Sequence, residues 1–405
     1  VILRRLGDAQ ARRAILVRGP RQVGKTILLL QLAGSLLASG WPRHSVTYFD
    51  FSDPANAGVS PAQVVEAAIS FGPATGARPV FLFDEIARVE RWDLWLKQAV
   101  DRGSGRFVVT DSSAHVLRSG GRESGQGRWD DFALEPLTFR EFVRLAYGTA
   151  TDPTGVLTQA IARYLAIGGF PEHVRAEDMA VVRRRMRQDL CEKAVQAELL
   201  RADVDVARAQ RLFVYLVQRS GAILVPAGAA RDLGADQRAV AKWLALLEDL
   251  MLVVQLPRAA TPRVAMRSHA RFYAADHGMV AAFADSADPL ADGQARGSLC
   301  ETVVFRHLRE VVREGGGRLF YYRGNGAEID FVMDIPGGKV AIEVTGDRAP
   351  GGDKVARARA AAEAAGASRA LLIHGGNARG ATDGVHLVPL HAFLVRPQLV
   401  AESLR

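Results

Sequence analysis

Gly19 to Thr26, GPRQVGKT, places two glycines, a lysine and a threonine at a spacing suited to holding phosphates. Gly19 and Gly24 allow backbone angles closed to other residues, so N–H groups along the loop can turn inward around an anion. The helix that follows adds the positive end of its dipole. In this reading Gly19, Pro20, Arg21, Gln22, Val23, Gly24, Lys25 and Thr26 cradle the phosphates of a nucleotide. Lys25 reaches the β and γ phosphates, and the Thr26 hydroxyl faces Mg2+.

PVFLFDE, Pro79 to Glu85, runs four apolar residues into two acids. A buried strand with that ending delivers its carboxylates to the nucleotide. Asp84 is expected to hold Mg2+, and Glu85 to polarise the attacking water. RFVVTD, Arg106 to Asp111, reads as another strand, and Ser112 after it is the expected γ-phosphate sensor, with a helix cap as the competing role. Arg128, in ESGQGR, is expected either to stabilise charge on the transferred phosphoryl group, in cis or towards a neighbour, or to serve as an exposed solubilising residue.

A second set of acids lies near the other end of the chain. Glu301 falls on the first turn of an amphipathic helix, Ser298 to Glu310, while Asp330 and Glu343 fall on successive strands. Thr345 stands two residues after Glu343, where metal-dependent cleavage of nucleic acid calls for lysine to position water and offset negative charge. Lys354, on the next helix, is the alternative cation. The three acids are therefore read as a degenerate nuclease site.

These residues need elements to position them. Ala14–Arg18, Val46–Phe51, Pro79–Glu85, Arg106–Asp111 and a strand around Trp129–Leu134 predict an α/β core. After Thr149–Gly155 the composition shifts and a linker is expected. Ala227–Leu233, a turn at Gly234 and a helix from Asp236 to Leu250 have helix-turn-helix spacing, with Met251–Leu256 and Arg263–Phe272 as a wing. Val240, Trp243, Leu244, Leu247 and Leu250 recur at helical spacing and belong to a core, which leaves Gln237, Arg238 and Lys242 to meet DNA. Strands at Arg318–Arg323, Glu328–Met333 and Lys339–Val344 complete the carboxyl-terminal part. The expected division is 1–150, 151–292 and 293–405.

At 405 residues the chain exceeds one ordinary core, and its 48% hydrophobic and 24% charged composition is that of a folded protein. A net charge of +8 favours phosphate partners, nucleotide or nucleic acid. Cys191 and Cys300 lack metal-type spacing and suggest a reducing compartment, so the cytoplasm is the expected location. The polar start VILRRLGDAQARRA does not read as a secretory signal. The uncharged run Thr26–Trp41 falls short of a membrane span.

The motifs GPRQVGKT, FLFDEI, VVTDSS, ESGQGR followed by LEPLTFREF, and YLAIGGFPEHV, in that order, resemble the bacterial and archaeal AAA-superfamily ATPases that carry a carboxyl-terminal region of uncharacterised function. The resemblance covers nearly the whole chain. It implies a P-loop parallel sheet with flanking helices, of the branch with an additional strand and a catalytic glutamate. A helical winged-helix-like region and an α/β domain similar to the restriction-endonuclease fold would follow. It implies Mg2+-dependent ATP hydrolysis, with Lys25, Glu85, Ser112 and Arg128 in the catalytic set. The alternatives are a nucleotide-dependent DNA-binding regulator and an ATP-dependent metal nuclease. Asp111 departs from the family, which has glycine before the paired serines. Protein partners and oligomeric state stay open.

Overall fold

A computed structural model describes residues 2–8, 12–72, 78–112, 127–148, 153–201, 204–259, 269–286, 288–324 and 326–403. The chain forms two compact units, residues 1–135 with 249–251, and residues 136–248 with 252–405.

The first unit is built on a five-stranded parallel sheet: β1 (Ala14–Gly19), β2 (Val46–Asp50), β3 (Val80–Asp84), β4 (Arg106–Ser112) and β5 (Trp129–Ala133). Their order is β2-β3-β4-β1-β5, so β4 lies between the loop strand and the acidic strand. Both faces of such a sheet are covered, and the strand residues alternate between two apolar layers. Ile15, Val17, Val80, Leu82 and Val108 meet Leu29, Leu32 and Leu36 of helix α2 (Lys25–Ala38) and Ile2 and Leu6 of α1 (Ile2–Gly7). Leu16, Phe81, Phe83, Phe107 and Val109 meet α3 (Pro61–Phe71) and α4 (Trp92–Arg102) through Val64, Val65, Trp92 and Leu96. Ser60 starts α3 with a capping box shared with Gln63, ahead of a proline at the first turn. The run from Thr26 is thus a helix packed on the sheet, and among the described residues no helix is long and apolar enough to cross a membrane.

The second unit carries a two-stranded antiparallel pair, β6 (Val253–Leu256) and β7 (Arg271–Ala274), and a mixed six-stranded sheet. The latter comprises β8 (Arg318–Gly324), β9 (Ala327–Ile335), β10 (Gly338–Thr345), β11 (Arg369–His374), β12 (Gly380–Thr382) and β13 (Val385–Pro389), in the order β12-β13-β11-β10-β9-β8. β8, β9 and β10 are antiparallel, whereas β10, β11 and β13 run parallel. Helix Gly293–Gly315 packs its Val303, Val304 and Leu308 with Phe331, Met333, Val340 and Ile342. Helix Gly352–Ala364 packs Val355, Ala358 and Ala362 with Val332, Ala341 and Leu372.

Some expected boundaries move. The long helix begins at Gly293, capped by Asp292 on the amides of Gln294 and Ala295, so Glu301 lies on its third turn and not its first. Helix Pro153–Ile167 takes up the end of the expected linker, because proline is tolerated in a first turn. Helices Pro226–Leu233 and Gln237–Asp249 flank Gly234 in a left-handed conformation, as expected. The strand expected at Arg263–Phe272 is β7, displaced towards Ala274, and residues 260–268 lie outside the described residues.

LEPLTF and YLAIGGF are joined. The Leu137 amide donates to Gly169 O at 2.7 Å, and the Tyr164 hydroxyl donates to Leu137 O at 2.7 Å. A Cβ on Gly169 would stand 2.4 Å from Leu137 O, so no larger residue fits there. Helix Gly293–Gly315 holds the same segment. Arg306 Nη2 donates to Pro136 O at 2.8 Å, and the Phe139 amide donates to His307 Nε2 at 3.1 Å. His307 Nδ1 lies 2.8 Å from Val303 O, so the ring is neutral, with its proton on Nδ1. Burial, with Arg306 beside it, pushes His307 down to about 3. The unfolded imidazole titrates at its ordinary value near ~6.5. The unfolded chain therefore binds the extra proton, and the stability from neutral His307 is complete above that value and is lost as pH falls towards 3. Urea unfolding from pH 7.5 to 4.5 should show this loss, at about 1.4 kcal/mol per pH unit for one proton. His307→Gln should flatten the slope by about one proton.

Candidate functional site

At the carboxyl end of β1, Gln22 and Gly24 have φ of 64° and 101°, so the loop turns through two left-handed positions before α2 begins. A Cβ on Gly19 would stand 2.3 Å from Leu134 O, which makes glycine obligatory there. Val23 anchors the loop in the interior at 3% exposure, whereas Thr26 is exposed on the first turn of α2. Lys25 is buried, and its Nζ donates to Gly19 O at 3.0 Å and Pro20 O at 3.2 Å. Burial lowers the pKa of this ammonium, and Glu85, Asp111 and Asp84 act in the opposite direction.

The parallel register sets what faces the loop. Gly19 pairs with Ser112 and Arg18 with Asp111, while Asp84 ends β3 on the far side of β4. Asp84 is 1% exposed. The Thr110 hydroxyl donates to Asp84 Oδ1 and accepts the Glu85 amide at 2.9 Å, and Tyr48 donates to Asp84 Oδ2 at 3.3 Å. Glu85 itself adopts φ 49°, ψ 42°, a left-handed conformation costly for a residue with a Cβ. Thr110 therefore orients both acids at once. Sequence reading passed over it for its neighbour. The usable signal was a hydroxyl on the middle strand two residues from the strand end.

The other expected members are placed less closely. Ser112 reaches the loop by its backbone register alone, and Ser113 and residues 123–126 lie outside the described residues. Arg128 requires a correction for a role in cis. Its carbonyl accepts the Ala14 amide at 2.9 Å and its Nε lies 3.1 Å from Asp101 Oδ1, at the amino end of β1, whereas the phosphate loop leaves the carboxyl end. Asp111 is fully buried, and its charge acts to raise the pKa of Lys25.

The second expected site is also rebuilt. Glu301 and Asp330 do come together, but around a guanidinium. Arg271 Nη1 lies 3.1 Å from Glu301 Oε1 and 3.2 Å from Asp330 Oδ1, and Nη2 meets Glu328. Tyr273 donates to Glu301 Oε1 at 2.6 Å, and the guanidinium lies over Tyr321. Asp330 Oδ2 accepts the Val344 amide at 3.0 Å. Among the described residues, the buried Glu343 Oε2 has no hydrogen-bond partner. Burial and the neighbouring carboxylates push Glu301 up to about 8 and Glu343 up to about 9. Arg271, at 6% exposure, thus takes the central contacts with Glu301 and Asp330, two of the three acids read as a degenerate nuclease site. Among the described residues no three His, Cys, Asp or Glu side chains form a metal-holding group. Lys354 Nζ does reach Thr345 Oγ1, at 2.8 Å, and is bound there by Asp347. Arg271 was missed because it opens an apolar strand, RFYA, within a segment read as a wing.

Comparison with known proteins bears on the first unit. Residues 11–143 match the family model described as an AAA domain. This segment is an AAA domain. That makes the sheet and its loop a nucleotide-binding module of the ATPase type, and the match extends from before β1 into the LEPLTFREF segment that follows β5. Downstream of the AAA domain, residues 158–289 and 296–393 match two domains of unknown function, DUF8612 and DUF4143. The chain is similar to an uncharacterized protein of Haemophilus influenzae, 22% identical over 272 residues that cover 65% of this chain and 67% of the relative. It is similar also to an uncharacterized protein of Mycobacterium tuberculosis, 25% identical over 364 residues, with 85% and 74% covered. Among solved structures, the Aeropyrum pernix ORC1 protein in complex with DNA aligns at 14% identity and TM-score 0.29, covering 71% of this chain and 92% of that one. The Saccharomyces cerevisiae Hsp104–ADP complex aligns at 15% identity and TM-score 0.31, covering 56% of this chain and 46% of Hsp104, so the chain spans under half of that protein.

Removing Arg271 would leave Glu301 and Asp330 buried without their cation. Arg271→Met should lower the unfolding free energy by about 3–5 kcal/mol in urea titrations of the full chain. Adding Glu301→Gln should recover part of that loss.

Proposed function

We propose that the chain binds ATP with Mg2+ at Gly19–Thr26 and hydrolyses it, and that nucleotide state is coupled to residues 151–292 and 293–405. The observation that carries this reading is the single hydroxyl of Thr110 holding Asp84 and the Glu85 amide on the strand next to the phosphate loop. Inward-turned amides from Arg21 to Lys25 bind the phosphates, and Lys25 exchanges its loop carbonyls for phosphate oxygens. The donor set fits a magnesium ion, which keeps several waters and takes one or two protein oxygens beside those of the phosphates. Thr26 Oγ1 and Asp84 would hold it, Asp84 being oriented by Thr110 and Tyr48. The chemistry such an ion would supply there is to offset the negative charge of the phosphates. Glu85 orients the attacking water, its backbone fixed by Thr110.

A second reading has one observation in its favour. Gln237, Arg238 and Lys242 are exposed on helix Gln237–Asp249, while Val240, Trp243 and Leu247 are buried, so one face is open to nucleic-acid phosphates. In this reading nucleotide state regulates DNA binding and turnover is slow. The metal-nuclease reading is the weakest, because Arg271 already occupies Glu301 and Asp330, two of the acids it needs.

Steady-state phosphate release, together with ATP affinity, tests the first reading. Lys25→Ala should lose ATP binding. Glu85→Gln should keep binding while turnover falls by about a hundredfold or more, the scale for losing a group that acts on the transition state. Thr110→Val should lower turnover with little change in affinity. Unaltered turnover in Glu85→Gln would remove Glu85 from the reaction.

A further inference from the structure

The amino ends of the same parallel strands carry a second concentration of phosphate-binding chemistry. A cavity of about 160 Å³ opens there, lined by Arg12, Arg13, Arg78, Arg102 and Arg106 with Asp101 as its acid. The strand direction separates it from the nucleotide loop. Ala14 opens β1 at the cavity, Gly19 closes β1 at the loop, and five residue steps of a strand span roughly 17 Å.

The five arginines are not a balanced network. Asp101 is engaged by Arg128, which does not line the cavity, and Arg13 pairs with Asp130 at 3.2 Å. Among the described residues no hydrogen bond or ion pair joins Arg12, Arg78 or Arg102 to a carboxylate. The neighbouring stretches 9–11 and 73–77, Ala-Gln-Ala and Pro-Ala-Thr-Gly-Ala, contain no acid. Arg106 is held in place from three sides. Its Nη1 donates to Leu6 O, its guanidinium lies 5.3 Å from the Trp41 ring centroid, and its backbone amide donates to Pro79 O at 2.8 Å. Burial lowers the Arg106 pKa, the Arg78 charge adds to the shift, and Asp8 opposes it. Arg78 lies near Gly103, where a Cβ would stand 3.8 Å from its Nη2.

Like charges brought this close repel unless an anion joins them, and planar guanidinium groups suit the paired oxygens of a phosphate. We propose that this cavity is a second phosphate-binding site, distinct from the nucleotide loop, in which Arg106 forms the fixed floor and Arg12, Arg78 and Arg102 close on the anion from the rim. Its volume has room for about five waters, and so for a phosphate or diphosphate group. The phosphate is carried either by a free diphosphate or by a nucleic-acid backbone crossing the rim.

The full chain carrying Lys25→Ala, which disables the nucleotide loop, is titrated at low ionic strength with inorganic pyrophosphate by calorimetry. The same chain is titrated with a fluorescent oligothymidylate of about twelve nucleotides by anisotropy. The comparison is Arg12→Gln, Arg78→Gln and Arg102→Gln combined in that background. All three positions are exposed, and circular dichroism checks that the fold is kept. At least one probe should bind, and the triple variant should weaken it by about tenfold or more. Loss confined to pyrophosphate identifies a free-anion site. Arginine-dependent binding of the oligonucleotide, weakening steeply with salt, identifies a nucleic-acid contact. Binding of neither probe, or equal binding by both proteins, overturns the proposal.

Discussion

The Thr110 hydroxyl, giving its proton to Asp84 and taking the amide proton of Glu85, ties the middle strand of the sheet to the acidic end of its neighbour β3. It can do so because β4 lies between β1 and β3. That strand order brings Lys25, Asp84 and Asp111 into one buried neighbourhood, where the two acids act against the burial that lowers the Lys25 pKa. The apolar layers on both faces hold the register rigid. A slip of one residue in β4 would turn Thr110 and Asp111 to the opposite faces.

The second unit obeys the same rule with a different cation. Glu301, Glu328 and Asp330 surround Arg271, and Tyr273 and Tyr321 shape the cage. A left-handed Gly221, with φ 90°, is part of that cage, since a Cβ there would stand 2.8 Å from Glu301 Oε1. A guanidinium is a fixed, always charged group. Held among these acids, it offsets part of their charge with a group of the chain itself. Lys354 on Thr345 supplies the positive charge that the strand lacks, but Asp347 already engages it.

Arginine is used in three physical settings in this chain. Arg271 is buried against carboxylates and Arg306 against a backbone carbonyl and Glu310, whereas the arginines at the amino ends of the parallel strands gather without equal acid. Net charge alone does not separate these cases.

Much of the first unit was legible in order. GPRQVGKT, FLFDE and RFVVTD name their elements because glycine requirements, apolar runs and strand-end acids are local properties. The glycines of YLAIGGF were legible as a helix stop, but the tight contact of Gly169 with Leu137 O that excludes a side chain was not. Glu301, Asp330 and Glu343 were likewise identified as an acidic set, while the cation among them was not. The sequence by itself determined where phosphate-binding backbone, buried strands and acidic strand ends would occur, since each follows from neighbours a few residues apart. Only the tertiary structure decided that Thr110 serves two acids, that Arg128 sits at the wrong end of β1, and that Arg271 fills the carboxylate cluster. Those outcomes depend on strand order and on contacts between residues 25 to 60 positions apart, for which the chain carries no local periodicity.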